Sequence, residues 1–470
     1  MARRRDSVPH GRVRRAAPLA GLTARTLGGR LIASVRESTG VHGAVQRADE
    51  RAARRYVALL GRSRGALMKA GQLLSMVDTR GWGGGGFEPY LRALSRLQSD
   101  VPAMDPALVG ELLEAELNSG MEQFAEFMPE PFATASIGQV HRAVLGDGRQ
   151  VAVKIQYPGV ARAIEDDLAN VELIGTFLRL ARSATVMRGD IGEVARTVAA
   201  RVREEVDYRH EAAMTSVFGE LYRDHPFIRI PEVVADASGD RVLTMTYLDG
   251  MDWAQAQHAD QELKNTWAEA ILRFAYSNRW LAGLLHADPH PDNYRFFPDG
   301  TVGFLDFGCV QVLTEAERCV WFAMTRAALE GRKSDLRDSM ERAGYLDADP
   351  DLTAEELYLW WSEVLHDIIV EPQPVTYTPD SRARVVNGLF DFQDPRRALA
   401  RVSFPSAAAV SARIQLNLIS ICAALSATLP VRAIADDTDG VAEPVTRLGQ
   451  QHHVWIRERG LVLTPSASGR

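Results

Sequence analysis

His286-Ala287-Asp288 is followed, five positions after the aspartate, by Asn293, then by a turn at Pro298 to Gly300, an apolar run Val302-Gly303-Phe304-Leu305, and Asp306-Phe307-Gly308. Carboxylate and amide oxygens are ligands that Mg2+ accepts. Phosphoryl transfer needs such an ion to neutralise phosphate charge, and a carboxylate beside the attacking group. In that chemistry Asn293 and Asp306 hold the metal, and Asp288 orients the nucleophile or takes its proton. Capping of a turn would explain Asp288 or Asn293 singly; the joint order and spacing asks for more.

This order and spacing resembles the catalytic loop and metal triplet of kinases, H-x-D-x-x-x-x-N followed by D-F-G. A site of that type requires a lysine for the nucleotide phosphates on an upstream strand. The chain has four lysines, Lys69, Lys154, Lys264 and Lys333, among 54 basic residues. Lys154 sits in the β-branched run Val151 to Ile155, close to the V-A-I-K strand, and a compact ammonium on a flexible stem suits a phosphate contact. It needs a carboxylate partner. Glu204, Glu205, Asp207 and Glu211 in EEVDYRHEAA are candidates, with Asp207 and Glu211 sharing a helix face at i,i+4; the residues alone do not choose among them.

Where a G-x-G-x-x-G phosphate loop would stand, the chain has Ala133-Thr134-Ala135-Ser136-Ile137-Gly138. Small side chains would still let backbone N–H groups approach phosphates, in a stiffer loop. Between Gly308 and the capping box Thr314-Glu315-Ala316-Glu317 only Cys309 to Leu313 intervene. That leaves no room for an activation segment, so a protein substrate is disfavoured.

Several elements must position these residues. Helical apolar spacing runs from about residue 19 to 77, a glycine run breaks it at 80–90, and helical spacing resumes to about 117. Two β-rich stretches, 131–145 and 149–155, are joined by the hairpin signal Gly146-Asp147-Gly148. Helices are expected at about 161–183 and 190–223, strands near 227–235 and 241–250, and mostly helix from 253. The most apolar window, Ile414 to Val431, contains Gln415 and Asn417 and ends at Pro430, which reads as a buried helix rather than a membrane span.

An apolar fraction of 46% and a charged fraction of 24% are those of a soluble globular protein. The net charge of −7 conceals an arm, residues 1–36, with nine arginines against the single acid Asp6. Such an arm suits anionic lipid or a solvated start, and the acidic remainder argues against nucleic acid. Cys309, Cys319 and Cys422 are too widely spaced for a disulfide framework or zinc site, which fits a reducing compartment.

Together these blocks resemble the UbiB/AarF/ADCK atypical kinases, also called the ABC-one family, over roughly residues 60 to 310. The resemblance is carried by Lys69-Ala70-Gly71-Gln72, LSRLQSDVP, ATASIGQVH, VAVKIQYPGV, EEVDYRHEA, HADPHPDN and LDFG. It implies an α+β, bilobal protein-kinase-like fold with an N-terminal helical extension and a mostly helical C-terminal lobe, using ATP and Mg2+. It pairs Lys154 with Glu211, sets Glu205 and Asp207 in an ExD motif, and places Lys69 and Gln72 in a regulatory pocket near Glu205. Met245 to Leu248, Tyr247 included, become the adenine-facing hinge. Asp292 stands where the family has glycine, which adds a carboxylate beside Asn293.

The expected organisation is a basic arm at 1–36, a helical extension at 37–129, an N-lobe at 130–249, a helical C-lobe at 250–435 and a loosely ordered tail at 436–470. The implied function is an ATP-dependent kinase or ATPase supporting isoprenoid-quinone or other lipid metabolism. The expected location is cytoplasmic, with peripheral membrane contact through the arm. A small-molecule phosphotransferase and a non-catalytic nucleotide-sensing scaffold are the alternatives.

Overall fold

The computed structural model describes residues 103–134, 137–162, 206–347, 349–390, 401–403 and 406–463. In chain order its main elements are α1 (Pro106–Glu116), β1 (Phe124–Phe127), β2 (Ala133–Thr134), β3 (Gly138–Leu145), β4 (Gln150–Gln156), α2 (Tyr208–Leu221), β5 (Ile228–Arg229) and β6 (Val242–Thr246). Then follow α3 (Gln261–Leu281), β7 (Leu284–His286), β8 (Tyr294–Phe296), β9 (Val302–Phe304), β10 (Val310–Val312), α4 (Glu315–Leu329), α5 (Lys333–Arg342) and α6 (Ala354–Val364). The chain closes with β11 (Val375–Thr376), α7 (Pro379–Phe390), α8 (Ser406–Ala424), β12 (Thr428–Leu429), α9 (Val431–Thr438) and α10 (Arg447–Glu458). The fold is α+β and falls into two compact units, residues up to His210 with Val233–Tyr247, and Glu211–Glu232 with Leu248 onward.

The first unit is an antiparallel sheet in the order β1-β3-β4-β6, with β2 also on β3. Its hairpin forms where the turn chemistry predicts. Gly148 takes φ +87°, a conformation that suits glycine, and Asp147 accepts the Arg149 N–H at 3.0 Å. On β4 the side chains of Val151, Val153 and Ile155 are fully buried while Ala152 and Lys154 face the other side, the period-two alternation of a strand packed on one face. A polar chain crosses the start of β3. Met104 N–H donates to Gln139 Oε1 at 2.8 Å, Gln139 Nε2 to His141 Nε2 at 2.7 Å, and His141 Nδ1–H to the Met128 carbonyl at 2.8 Å. Burial holds the His141 pKa below its ordinary value, in keeping with a neutral ring that donates on one side and accepts on the other.

The second unit is built around α3, most of whose residues are buried. Small sheets lie beside it: β5-β9-β8, β7-β10 and β11-β12. The segment Glu211–Glu232, expected in the N-lobe, packs with this unit. The cause is its apolar content, since Phe218, Tyr222, Phe227 and Ile228 join the core that contains Phe274 and Phe307, and β5 runs parallel to β9.

Two expectations are corrected here. The helix expected at Ile414 to Val431 is shifted. It spans Ser406–Ala424, Ser426 then takes φ +51°, and Thr428–Leu429 pair with Val375–Thr376 before Pro430 opens α9. No helix among the described residues is long and apolar enough to cross a membrane. The segment after Asp436 is not loose up to residue 463. Its acids meet buried arginines, Asp437 receiving Arg273 at 2.6 and 2.8 Å and Asp436 receiving Arg326 at 2.6 Å. Beyond them α10 buries Leu448, His452, Trp455 and Ile456. Acids that read as a solvated turn are docking groups once their arginines are in place. The basic arm, most of the helical extension and residues 163–205 lie outside the described residues.

Candidate functional site

In the second unit the two loops that carry the motif are fastened together at both ends. The register β8–β9 sets Tyr294 opposite Phe304, and Leu305 N–H extends the ladder to the Asn293 carbonyl at 3.0 Å. The register β7–β10 sets His286 opposite Val310, and Ala287 N–H extends it to the Cys309 carbonyl at 2.8 Å. His286 Nε2–H donates to the Asp306 carbonyl at 2.6 Å. Asp288, Asn293 and Asp306 are therefore placed by strand pairing on either side of short loops, which is how a rigid scaffold fixes polar side chains.

Asn293 Nδ2 donates to the Asp288 carbonyl at 3.3 Å, leaving the amide oxygen for a cation, and Asp306 Oδ1 accepts the Gly308 N–H at 3.0 Å. One amide and one carboxylate make a sparse, all-oxygen donor set. It fits Mg2+, which keeps waters and phosphate oxygens as its other ligands. Among the described residues no three His, Cys, Asp or Glu side chains gather as a metal cluster. The Asp292 side chain is 79% exposed beside His290, so the added carboxylate points to solvent.

Phe307 is fully buried and meets Phe218 of α2 at 4.7 Å between ring centroids. Phe218 lies two turns along α2 from Glu211, on the same face. Glu211 is buried, and its Oε2 lies 3.6 Å from where a Cβ on Gly308 would stand, with Asp306 Oδ1 at 3.4 Å from the same point. Both carboxylates thus border Gly308. The helix starts where it does because Asp207 accepts the His210 N–H at 2.9 Å, an N-cap bond.

In the first unit, Lys154 lies on β4 opposite Val140 of β3 and Leu243 of β6. Its Nζ is 5.0 Å from the centroid of the Tyr208 ring. Gly138 admits no side chain, since an added Cβ would meet the Ile155 carbonyl oxygen at 2.3 Å and the Tyr208 hydroxyl at 2.9 Å. Ala133 and Thr134 pair with Val140 and Gln139, and Ile137 is buried. Met245, also buried, pairs with Ala152. Tyr247 carries the Arg142 guanidinium 4.2 Å above its ring and receives a hydrogen bond from it. Leu248 belongs to the second unit and packs over Gly303.

A family description, the ABC1 atypical kinase-like domain, matches residues 96–340, just over half of the chain. This chain belongs to the ABC1 atypical kinase-like family. Among family relatives, mitochondrial atypical kinase COQ8B of Rattus norvegicus is 32% identical over 338 residues, 70% of this chain and 62% of that protein. The mitochondrial atypical kinase COQ8 of Saccharomyces cerevisiae is 31% identical over 60% of this chain and 55% of its own length. The chain thus spans roughly three fifths of the length of these two curated relatives. A solved structure, the complex of Rv3197 with erythromycin from Mycobacterium tuberculosis, shares 30% identity at a TM-score of 0.60, covering 84% of this chain and 97% of that one.

Of the residues expected in an ABC1 site, Lys69, Gln72, Glu205, Ala135 and Ser136 lie outside the described residues, as does Glu204, a candidate partner of Lys154 on the residues alone. Asp288, Asn293, Asp306 and Glu211 fall in one unit. Lys154, Met245, Tyr247, Ala133, Thr134, Ile137, Gly138 and Asp207 fall in the other. Sequence reasoning passed over Gln139, His141, Tyr208 and Arg413. For Gln139 and His141 a signal existed, two polar residues on the inward face of a strand. For Arg413, considered below, there was none.

Proposed function

We propose that this chain is a Mg2+-dependent atypical kinase or ATPase that transfers the γ-phosphoryl group of ATP to water or a small-molecule hydroxyl, in support of isoprenoid-quinone or other lipid metabolism. The observation that carries this reading is the fastening of the Asp288–Asn293 loop to Asp306 by two strand pairings.

Asn293 and Asp306 would hold Mg2+, whose contribution is to neutralise phosphate charge. Lys154 supplies an ammonium for the phosphates and Glu211 the carboxylate that keeps it in place. Asp288 orients the attacking oxygen and accepts its proton. The acceptor is small: β10 begins two residues after Gly308, and the Thr314 capping box opens α4 directly behind it, so no peptide platform follows the metal triplet. The erythromycin complex of the M. tuberculosis relative supports a bulky, oxygen-bearing small molecule as a ligand class. Peripheral membrane contact through residues 1–36 in the cytoplasm belongs to the same reading.

The test is ATP hydrolysis by the purified chain, with and without anionic liposomes and quinone-precursor mimics. Asp288→Asn is expected to abolish turnover while fluorescent ATP-analogue binding stays within about threefold, and Asp306→Ala to abolish Mg2+-dependent turnover. Turnover unchanged in both variants overturns the assignment. A phosphorylated metabolite formed from labelled ATP in an extract would favour a small-molecule phosphotransferase instead.

A further inference from the structure

Helix α8 sends Arg413 into the catalytic loop of its own unit. Arg413 Nε donates to the Ala287 carbonyl at 3.1 Å, and Nη2 donates to the same oxygen. That Nη2 also lies 3.3 Å from Asp288 Oδ1 and 3.9 Å from Cys309 Sγ. The N–H of Ala287 is engaged by the Cys309 carbonyl. Both polar groups of Ala287 are therefore satisfied, one by an extension of the β7–β10 ladder and the other by a side chain 126 positions away.

We propose that Arg413 is a positioning residue for phosphoryl transfer, clamping the peptide that precedes Asp288 so that the Asp288 carboxylate is held in its working direction. This rests on the ATP-turnover reading above.

Three physical points support it. The Arg413 and Asp288 side chains are each 23% exposed, so the pair is partly shielded and is not a free surface bridge of negligible worth. A planar guanidinium can serve a carbonyl and a neighbouring carboxylate in one fixed geometry, which a lysine ammonium cannot reproduce. Removing it leaves the Ala287 carbonyl without its donor, and the loop loses the constraint on the peptide plane from which Asp288 projects. Arg413 acts through Asp288, because the donors observed here are engaged by the loop. Helix α8 thereby becomes part of the site, although its apolar sequence looks purely structural.

The experiment compares wild type, Arg413→Gln, Arg413→Lys and Asp306→Ala as full-length purified chains. Arg413→Gln is expected to lower kcat about 100-fold, the cost of a misplaced catalytic group, with KM for ATP within about threefold and only a small drop in thermal midpoint from the Ala287 carbonyl left without its donor. Arg413→Lys is expected to recover only part of the loss. A kcat for Arg413→Gln within about threefold of wild type, while Asp306→Ala is dead, overturns the inference and leaves the ATP reading intact. A parallel fall in kcat, ATP affinity and thermal midpoint assigns Arg413 to folding alone and also overturns it. If the wild type itself does not exceed Asp306→Ala, the ATP reading fails. Amide exchange then decides: lost protection confined to residues 287–293 in Arg413→Gln supports the clamp, and unchanged exchange there rejects it.

Discussion

His225 and His452 share a hydrogen bond of 2.8 Å between Nε2 of the first and Nδ1 of the second, and its direction is fixed by their other partners. His225 Nδ1 accepts the N–H groups of Phe227 and Ile228, so its proton sits on Nε2; His452 Nδ1 accepts it, and His452 Nε2–H reaches Ser277 Oγ at 3.0 Å. Neither ring has room for a second proton. Burial, with the charge of Arg273 adding to it, pushes His225 down to about 3, and burial likewise holds His452 well below the ordinary 6.5. With folded values depressed, the unfolded chain binds the extra protons first. The stabilisation is complete above about pH 6.5 and is lost as pH falls below it, by about 1.4 kcal/mol per pH unit for each histidine. Urea unfolding between pH 7.5 and 5 is expected to show this slope, and His452→Gln to reduce it by about half. An unchanged slope in that variant would place the acid sensitivity elsewhere.

Phe307 links the Asp306-Phe307-Gly308 loop to α2 through Phe218, so the position of Glu211 depends on an aromatic contact. Phe218→Ala removes a fully buried ring and should cost roughly 3–5 kcal/mol, read by denaturant midpoint. Phe218→Leu should restore most of the stability. If the alanine variant is as stable as wild type, α2 is not held by this contact.

The pieces legible in the sequence are those whose meaning is local or whose spacing is fixed. Asp288, Asn293 and Asp306 were readable because a strand hairpin of set length joins them. The β3–β4 hairpin was readable because Gly146-Asp147-Gly148 has its own turn chemistry. Other pieces are defined only by distant partners. Asp437 looks like a solvated acid until Arg273 is brought beside it, and Arg413 lies in an apolar helix whose run of leucine, isoleucine and alanine dominates the pattern. Glycine at 138 was read for what it permits toward phosphates, whereas the backbone of β4 and the Tyr208 hydroxyl already exclude a side chain there.

That exclusion is testable. Gly138→Ala would force a methyl against the Ile155 carbonyl, and backbone cannot swing aside as a flexible side chain can. The variant should lose about 1–3 kcal/mol or more, seen as a lowered thermal midpoint and exchange in β3 and β4. Full stability with weakened ATP-analogue binding would instead assign Gly138 to the nucleotide alone.

Arg273 and Asp437 form a bidentate pair, both fully buried, with Glu269 and Thr446 completing the guanidinium's bonds at 2.8 and 2.9 Å. Two opposing terms decide what the pair is worth. Desolvation of both ions is costly, and their attraction with good geometry offsets it, so the net contribution is small; breaking one side leaves a buried charge uncompensated. Arg273→Met leaves the buried Asp437 and Glu269 carboxylates without their cation; it should therefore cost roughly 3–5 kcal/mol and loosen α9 and α10, detectable as proteolysis after residue 430. The triple variant Glu269→Leu, Arg273→Met, Asp437→Leu should recover much of that loss, because no charge is then left buried and unpaired. Equal destabilisation in the single and triple variants would mean that the ion pairs themselves, and not merely the absence of an unpaired charge, hold the C-terminal segment in place.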